Sequence, residues 1–172
     1  RFDLAGKRVV LTFGLLSPGK GVEHMIDAMP RIVERFPDTV YVILGATHPH
    51  LVASEGEAYR ESLKKEAERL GVADNIRWID SFVANDELLD YLAAADIYVT
   101  PYLNPAQVTS GTLSYAVGLG KPVVSTPYVH AKELLAGDHG VLVPFASCAA
   151  LADAVIGLLA DDHGRDALRA RT

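Results

Sequence analysis

Apolar residues along this chain follow two patterns that alternate from one end to the other. Short runs rich in β-branched and aliphatic residues, 8–13 and 39–44, each stop at a glycine, Gly14 and Gly45. Between them Val22, Met25, Ile26, Met29, Ile32 and Val33 recur at helical spacing, which predicts a helix over 21–36. Pro30 falls inside it and is expected to kink or restart that helix, since it lacks a donor and crowds the preceding turn. The alternation continues with helices predicted over 57–70, with Gly71 as the stop, and over 86–94, 110–119, 130–135 and 149–159. Strands are predicted over 75–79, 96–100, 122–126 and 140–143, and a charged tail follows the last helix.

About six short apolar strands alternating with helices imply an α/β fold, a doubly wound, mostly parallel sheet of Rossmann-like type. No repeat or low-complexity linker divides the 172 residues, so the whole chain, 1–172, reads as a single domain. Ligands in such sheets bind at the carboxyl ends of the strands. The informative loops are therefore those after Phe13, Gly45, Ile79, Pro101 and Thr126.

Composition narrows the function. A net charge of −6 argues against a nucleic-acid partner, though local donors can still hold an anionic small molecule. No apolar run approaches the about 20 residues needed to span a bilayer. Cys148 is the lone cysteine, which fits packing in a reducing, cytoplasmic setting. The chain opens Arg-Phe-Asp-Leu without an initiator Met or an apolar signal region, the expected look of a piece of a longer protein.

The first loop, Gly14-Leu15-Leu16-Ser17-Pro18-Gly19-Lys20-Gly21, lies between a strand and a helix. Glycines there let the backbone approach a phosphate, the helix start offers N–H groups, and Lys20 adds positive charge. Read literally it is most of a P-loop, but Gly21 stands where Mg²⁺ would need a hydroxyl. A metal-free phosphate contact by Lys20, a P-loop-like site and a bland Gly/Pro turn all remain open for this segment. Further along, Ser110-Gly111-Thr112 opens a helix whose amides can grip a diphosphate, or simply serve as an ordinary N-cap. His48 and His50 follow the second strand; no spacing supplies further zinc ligands, and an exposed loop is the plainer reading.

These residues together resemble a family. The chain is similar to the C-terminal, donor-binding domain of GT-B glycosyltransferases of group 1, the family 4 retaining enzymes. Gly14 to Gly21 looks like that family's G-R-x-x-x-x-K-G loop. Leu70-Gly71-Val72 to Phe82, then Asp86-Glu87-Leu88, resembles its LG…V-x-F-x-G…EEL segment. Ala94-Ala95-Asp96-Ile97 to Pro101 matches its ADV…P, and Gly120 to Thr126 with Glu133-Leu134 matches its G-x-PVV…E-x-V. The resemblance runs from about Val9 to Leu159, and the order of the pieces is its most specific feature.

It implies an enzyme that moves a sugar from a nucleotide-diphosphate sugar to an acceptor, with no bound metal or other cofactor. It further implies that acceptor binding belongs to a missing N-terminal domain, and that the isolated domain binds nucleotide but transfers nothing. Any peripheral membrane contact would also come through that missing half. The residues implied at the donor are Gly14, Lys20, His48, Phe82, Val83, Gln107, Ser110, Gly111, Thr112 and Tyr115, with Lys20 and Gln107 nearest the chemistry. Two departures stand out. The family's loop Arg is Leu15, leaving Lys132 or Arg60 to restore the charge. The family's E-x7-E pair falls on Gln107 and Tyr115, which can hydrogen-bond but carry no charge. A P-loop-like phosphate-binding domain and a non-catalytic Rossmann-like module are the alternative functions.

Overall fold

The structure, a computed structural model, describes residues 4–171. Its strands are β1 (Arg8–Phe13), β2 (Thr39–Leu44), β3 (Ile76–Ile79), β4 (Ile97–Thr100), β5 (Val123–Ser125) and β6 (Val141–Leu142). They form one sheet in the order β3-β2-β1-β4-β5-β6, and every pairing is parallel. The strand order reverses between β1 and β4, where such sheets open a crevice at their carboxyl edge.

Helices cover both faces. Val10, Tyr41, Ile43, Ile97 and Val99 point to one side, where they meet α1 (Val22–Arg35), α3 (Ala58–Arg69) and α7 (Cys148–Ala160). Val9, Leu11, Phe13, Val40, Val42 and Leu44 point to the other, against α4 (Asn85–Ala94), α5 (Gly111–Gly118) and α6 (Val129–Leu134). This alternation is the period of a strand whose two faces are both buried. Two polar residues inside the sheet are bonded to each other and to a neighbouring strand: Tyr41 Oη donates to Thr12 Oγ1 at 2.9 Å, and Thr12 Oγ1 donates to the Val99 carbonyl at 2.7 Å. Lys121, inside the Gly-Lys-Pro stretch, is buried and donates to the Ala93 and Ala95 carbonyls at 2.8 and 2.9 Å. It thereby closes the C-terminal end of α4, where a cation is electrostatically favoured.

Three sequence expectations need correction. The first helix runs unbroken through Pro30 from Val22 to Arg35. An interior proline costs about 3 kcal/mol. The fully buried stripe of Met25, Ile26, Met29 and Ile32 outweighs it, at about 1.5–3 kcal/mol for each side chain. The segment after His48 is a helix, α2 (Pro49–Glu55), and the charged tail is another, α8 (Asp162–Arg171). Neither carries the apolar stripe by which a helix is read from sequence.

Burial also sets an alkaline limit on the fold. It pushes the hydroxyls of Tyr41, Tyr59 and Tyr128 above the ordinary tyrosine value. Below about pH 10 these groups are protonated whether the chain is folded or not, so they add no pH dependence. Above it the unfolded chain releases protons that the folded one retains, and stability falls as pH rises through the folded-state values. In an alkaline titration, tyrosinate absorbance from these residues is expected to appear together with loss of circular dichroism, not before it.

Candidate functional site

At the switch point the ladder continues beyond the strands. Gly14 N donates to Leu44 O, Leu16 N to Ala46 O and His48 N to Leu16 O, each at 2.9 Å, so the loops after β1 and β2 are zipped together. The next turn, Pro18–Lys20, ends at Gly21 in the left-handed conformation with φ 64°. A Cβ there would lie 2.1 Å from the Pro101 carbonyl oxygen, so only glycine lets this loop lie against the end of β4. Leu103 N donates to Gly19 O at 3.0 Å and completes the seam.

On the other side of the crevice stands the start of α5. Ser110 caps it: its Oγ accepts from Leu113 N at 3.3 Å while its own N–H donates to His130 Nδ1 at 2.8 Å. Thr112 Oγ1 lies 3.1 Å from Ser110 Oγ and 2.8 Å from the Tyr102 hydroxyl. The Gly111 and Thr112 N–H groups belong to the first turn, which has no acceptor within the helix, and free donors of this kind can bind an anion. Lys20 Nζ sits 4.0 Å from the centroid of the Tyr102 ring. One cation and one helix start thus flank the same crevice.

Beside them opens a cleft of about 290 Å³. Gly14, Leu15, Gly45 and Ala46 line one side, Ser81, Phe82 and Val83 another, with Thr112 at the α5 end and Phe13 and Leu44 from the strands. The walls are apolar, and Phe82 is 89% exposed, an aromatic ring held out where a flat ligand group could stack.

Most of the sequence-derived candidates converge here. Gly14, Phe82, Val83 and Thr112 share the cleft, and Lys20, Ser110 and Gly111 adjoin it. His48 lies at the end of α2, which it caps by accepting from His50 N at 3.3 Å, with its ring stacked on His50 at 5.2 Å. That segment is helical, not the open loop expected. Gln107 donates from Nε2 to Thr109 O at 3.0 Å within its own loop. Tyr115 packs edge-on to Phe13 at 6.3 Å and lines a neighbouring shallow pocket with Leu89, Ser114 and Leu119.

Arg60 does not serve as a free cation beside Leu15. It is fully buried, donating to the Gly45 carbonyl at 2.7 Å and pairing with Asp80 at 2.9 Å, with Thr47 Oγ1 at 3.1 Å. It fixes the ends of β2 and β3, the cleft's rear wall. Lys132, the other candidate, is exposed on α6.

Two residues of this region escaped the sequence reading. His130 holds the segment before α5 at two points, its N–H donating to Gln107 O at 3.1 Å and its ring accepting from Ser110 N. Tyr102 lies under Lys20 and bonds Thr112. No spacing marks either one, because each acts through tertiary neighbours. Among the described residues no cluster of three or more His, Cys, Asp or Glu could hold a metal, and no helix is long and apolar enough to cross a membrane.

This fold and crevice define a Rossmann-like half of the GT-B architecture. The family model described as "Glycosyl transferases group 1" matches residues 7–161, and the chain belongs to that family. It is 32% identical over 167 residues to the GDP-mannose-dependent alpha-(1-6)-phosphatidylinositol monomannoside mannosyltransferase of Mycolicibacterium smegmatis, covering 94% of this chain and 41% of that protein. It is 30% identical over 162 residues to the phosphatidyl-myo-inositol mannosyltransferase of Mycobacterium leprae, covering 94% of this chain and 39% of the relative. The chain therefore spans about two fifths of these curated relatives.

Among solved structures, Anabaena HepE in complex with UDP superposes with a TM-score of 0.84 at 24% identity, over 96% of this chain and 43% of that one. The C-terminal domain of the group 1 glycosyl transferase LpcC from Francisella tularensis superposes with a TM-score of 0.80 at 20% identity. That match covers 95% of this chain and 80% of the LpcC domain. At these identities the likeness is one of fold.

Proposed function

We propose that this chain is the donor-binding half of a retaining glycosyltransferase, and that it holds a nucleoside-diphosphate sugar without a metal. The observation that carries the reading is the convergence of Lys20 and the α5 start across the switch-point crevice. Cleaving the donor leaves negative charge on the diphosphate, and preorganised donors stabilise it without reorganisation at the moment of reaction. Lys20 and the Gly111 and Thr112 amides supply those donors. The apolar cleft at Phe82 and Val83 takes the nucleobase. Gln107 is assigned to the sugar and Tyr115 to the ribose, each by neutral hydrogen bonds where the family uses carboxylates. His48 would reach the donor from the end of α2.

The mannosyltransferase relatives, one of them named as GDP-mannose-dependent, favour a guanosine-diphosphate sugar. Uridine is the other arm of the test, because HepE was solved with UDP. Acceptor binding belongs, in this proposal, to an N-terminal domain outside the chain, and transfer takes place in the cleft between the two. The neutral Gln107 and Tyr115 favour one other reading, a non-catalytic nucleotide-binding module, which would bind the diphosphate yet support no transfer with that domain joined.

Lys20→Ala is the direct test of the site. It is expected to weaken nucleoside-diphosphate binding by about 1–3 kcal/mol, the range for a lost charged hydrogen bond. Isothermal titration of GDP and UDP into both proteins measures it, and an unchanged affinity removes Lys20 from the site.

A further inference from the structure

We infer that Tyr102 is the positioning residue of the diphosphate site, which rests on the function proposed above. Its ring orients Lys20 and its hydroxyl orients the start of α5. Tyr102 is only 1% exposed, so its ring cannot be serving as a surface contact for ligand. It is stacked on Tyr128 at 5.3 Å and 18°, which fixes the ring plane. Lys20 Nζ stands 4.0 Å from that ring's centroid, inside the distance at which a cation is attracted to the face of an aromatic ring. Its hydroxyl is 2.8 Å from Thr112 Oγ1, which in turn lies 3.1 Å from the capping oxygen of Ser110.

One buried side chain therefore bridges the two elements that flank the crevice. This matters because a lysine is a flexible point charge whose rotamer freedom must be given up on binding. A ring that already holds the ammonium lowers that cost. It also lets the lysine act with only one neighbour of its kind missing, since Leu15 replaces the second cation expected of the family. Tyr102 touches no reacting atom in this arrangement; it acts through Lys20 and Thr112.

The test is a double-mutant cycle read by calorimetric affinity for GDP and UDP on the 172-residue chain, with thermal denaturation as the control for folding. Tyr102→Phe keeps the ring and loses the Thr112 contact; the expected loss is about two- to threefold. Tyr102→Leu removes both, and the expected loss is about three- to thirtyfold beyond that of Tyr102→Phe. On a Lys20→Ala background the two substitutions should cost the same, because the ring then has nothing to orient. Equal extra cost of Tyr102→Leu on both backgrounds overturns the inference and leaves the site standing. If Lys20→Ala alone changes nothing, the proposed function fails first and the inference with it.

Should Tyr102→Leu not fold, NMR of the wild type and Tyr102→Phe decides. The Lys20 Hε resonances should be shifted upfield by the ring in both, and unshifted resonances in the wild type overturn the inference.

Discussion

Gly45→Ala is expected to destabilise the chain by about 3–4 kcal/mol and to abolish measurable nucleotide binding. Gly45 adopts φ 143°, a conformation that side chains rarely tolerate, and a Cβ built on it would lie 2.1 Å from the Gly14 carbonyl oxygen and 2.8 Å from its carbon. Neither atom is the end of a flexible side chain, so the two loops must move apart. The hydrogen bonds that zip them, Gly14 N to Leu44 O and Leu16 N to Ala46 O, would stretch or break. Because Gly14, Gly45 and Ala46 line the cleft directly, the strain falls on the site itself. For a chain of this size such a loss lowers Tm by roughly 10 °C. Thermal denaturation reads the first effect and calorimetric titration the second. A variant as stable as the wild type would show that the loop contact at Gly45 is not as close as described.

Arg60→Met is expected to cost about 2–3 kcal/mol, below the about 3–5 kcal/mol for removing one partner of a fully buried ion pair. The stem volume is kept, so the change isolates the guanidinium. Its loss strands the Gly45 carbonyl, which accepts from Nη2 at 2.7 Å, and frees Asp80. Asp80 and Glu57 are 47% and 43% exposed, so water can reclaim their charge, and this keeps the cost below that of a fully buried pair. Arg60 Nη1, buried without a partner, already represents an unrecovered desolvation cost that methionine would relieve. The functional effect should exceed the stability effect at the cleft, since Arg60 ties the loop of Gly45 to Asp80, the neighbour of Ser81. Urea denaturation checks the magnitude. A loss under about 0.5 kcal/mol, the range of ordinary surface changes, would contradict the role.

How much of this was legible in sequence depends on whether the signal is local. β1 and β2 fall on the expected residues because uninterrupted apolar runs have no other use in a doubly wound sheet. Ser110 was readable as a cap because capping is a local rule, and it does cap α5. α2 was illegible because Pro49–Glu55 buries none of its residues, so no periodicity reveals it. Pro30 misled because a local penalty was weighed without the buried stripe that overrides it. In the site, the glycine-rich loop and the capped start of α5 were legible as local turn and helix-start signals, and both lie at the crevice. Tyr102, His130 and the burial of Arg60 were not. Their partners lie far along the chain, and only the folded sheet edge brings them together.

The measurement that bears most directly on the central proposal is titration of GDP, UDP and ADP into the chain, once with excess chelator and once with Mg²⁺. Saturable binding of GDP or UDP, equal in affinity under both conditions and enthalpically detectable, is the expected result. Binding that requires Mg²⁺, or none by any of the three nucleotides, would contradict a metal-independent donor site at the Lys20 crevice.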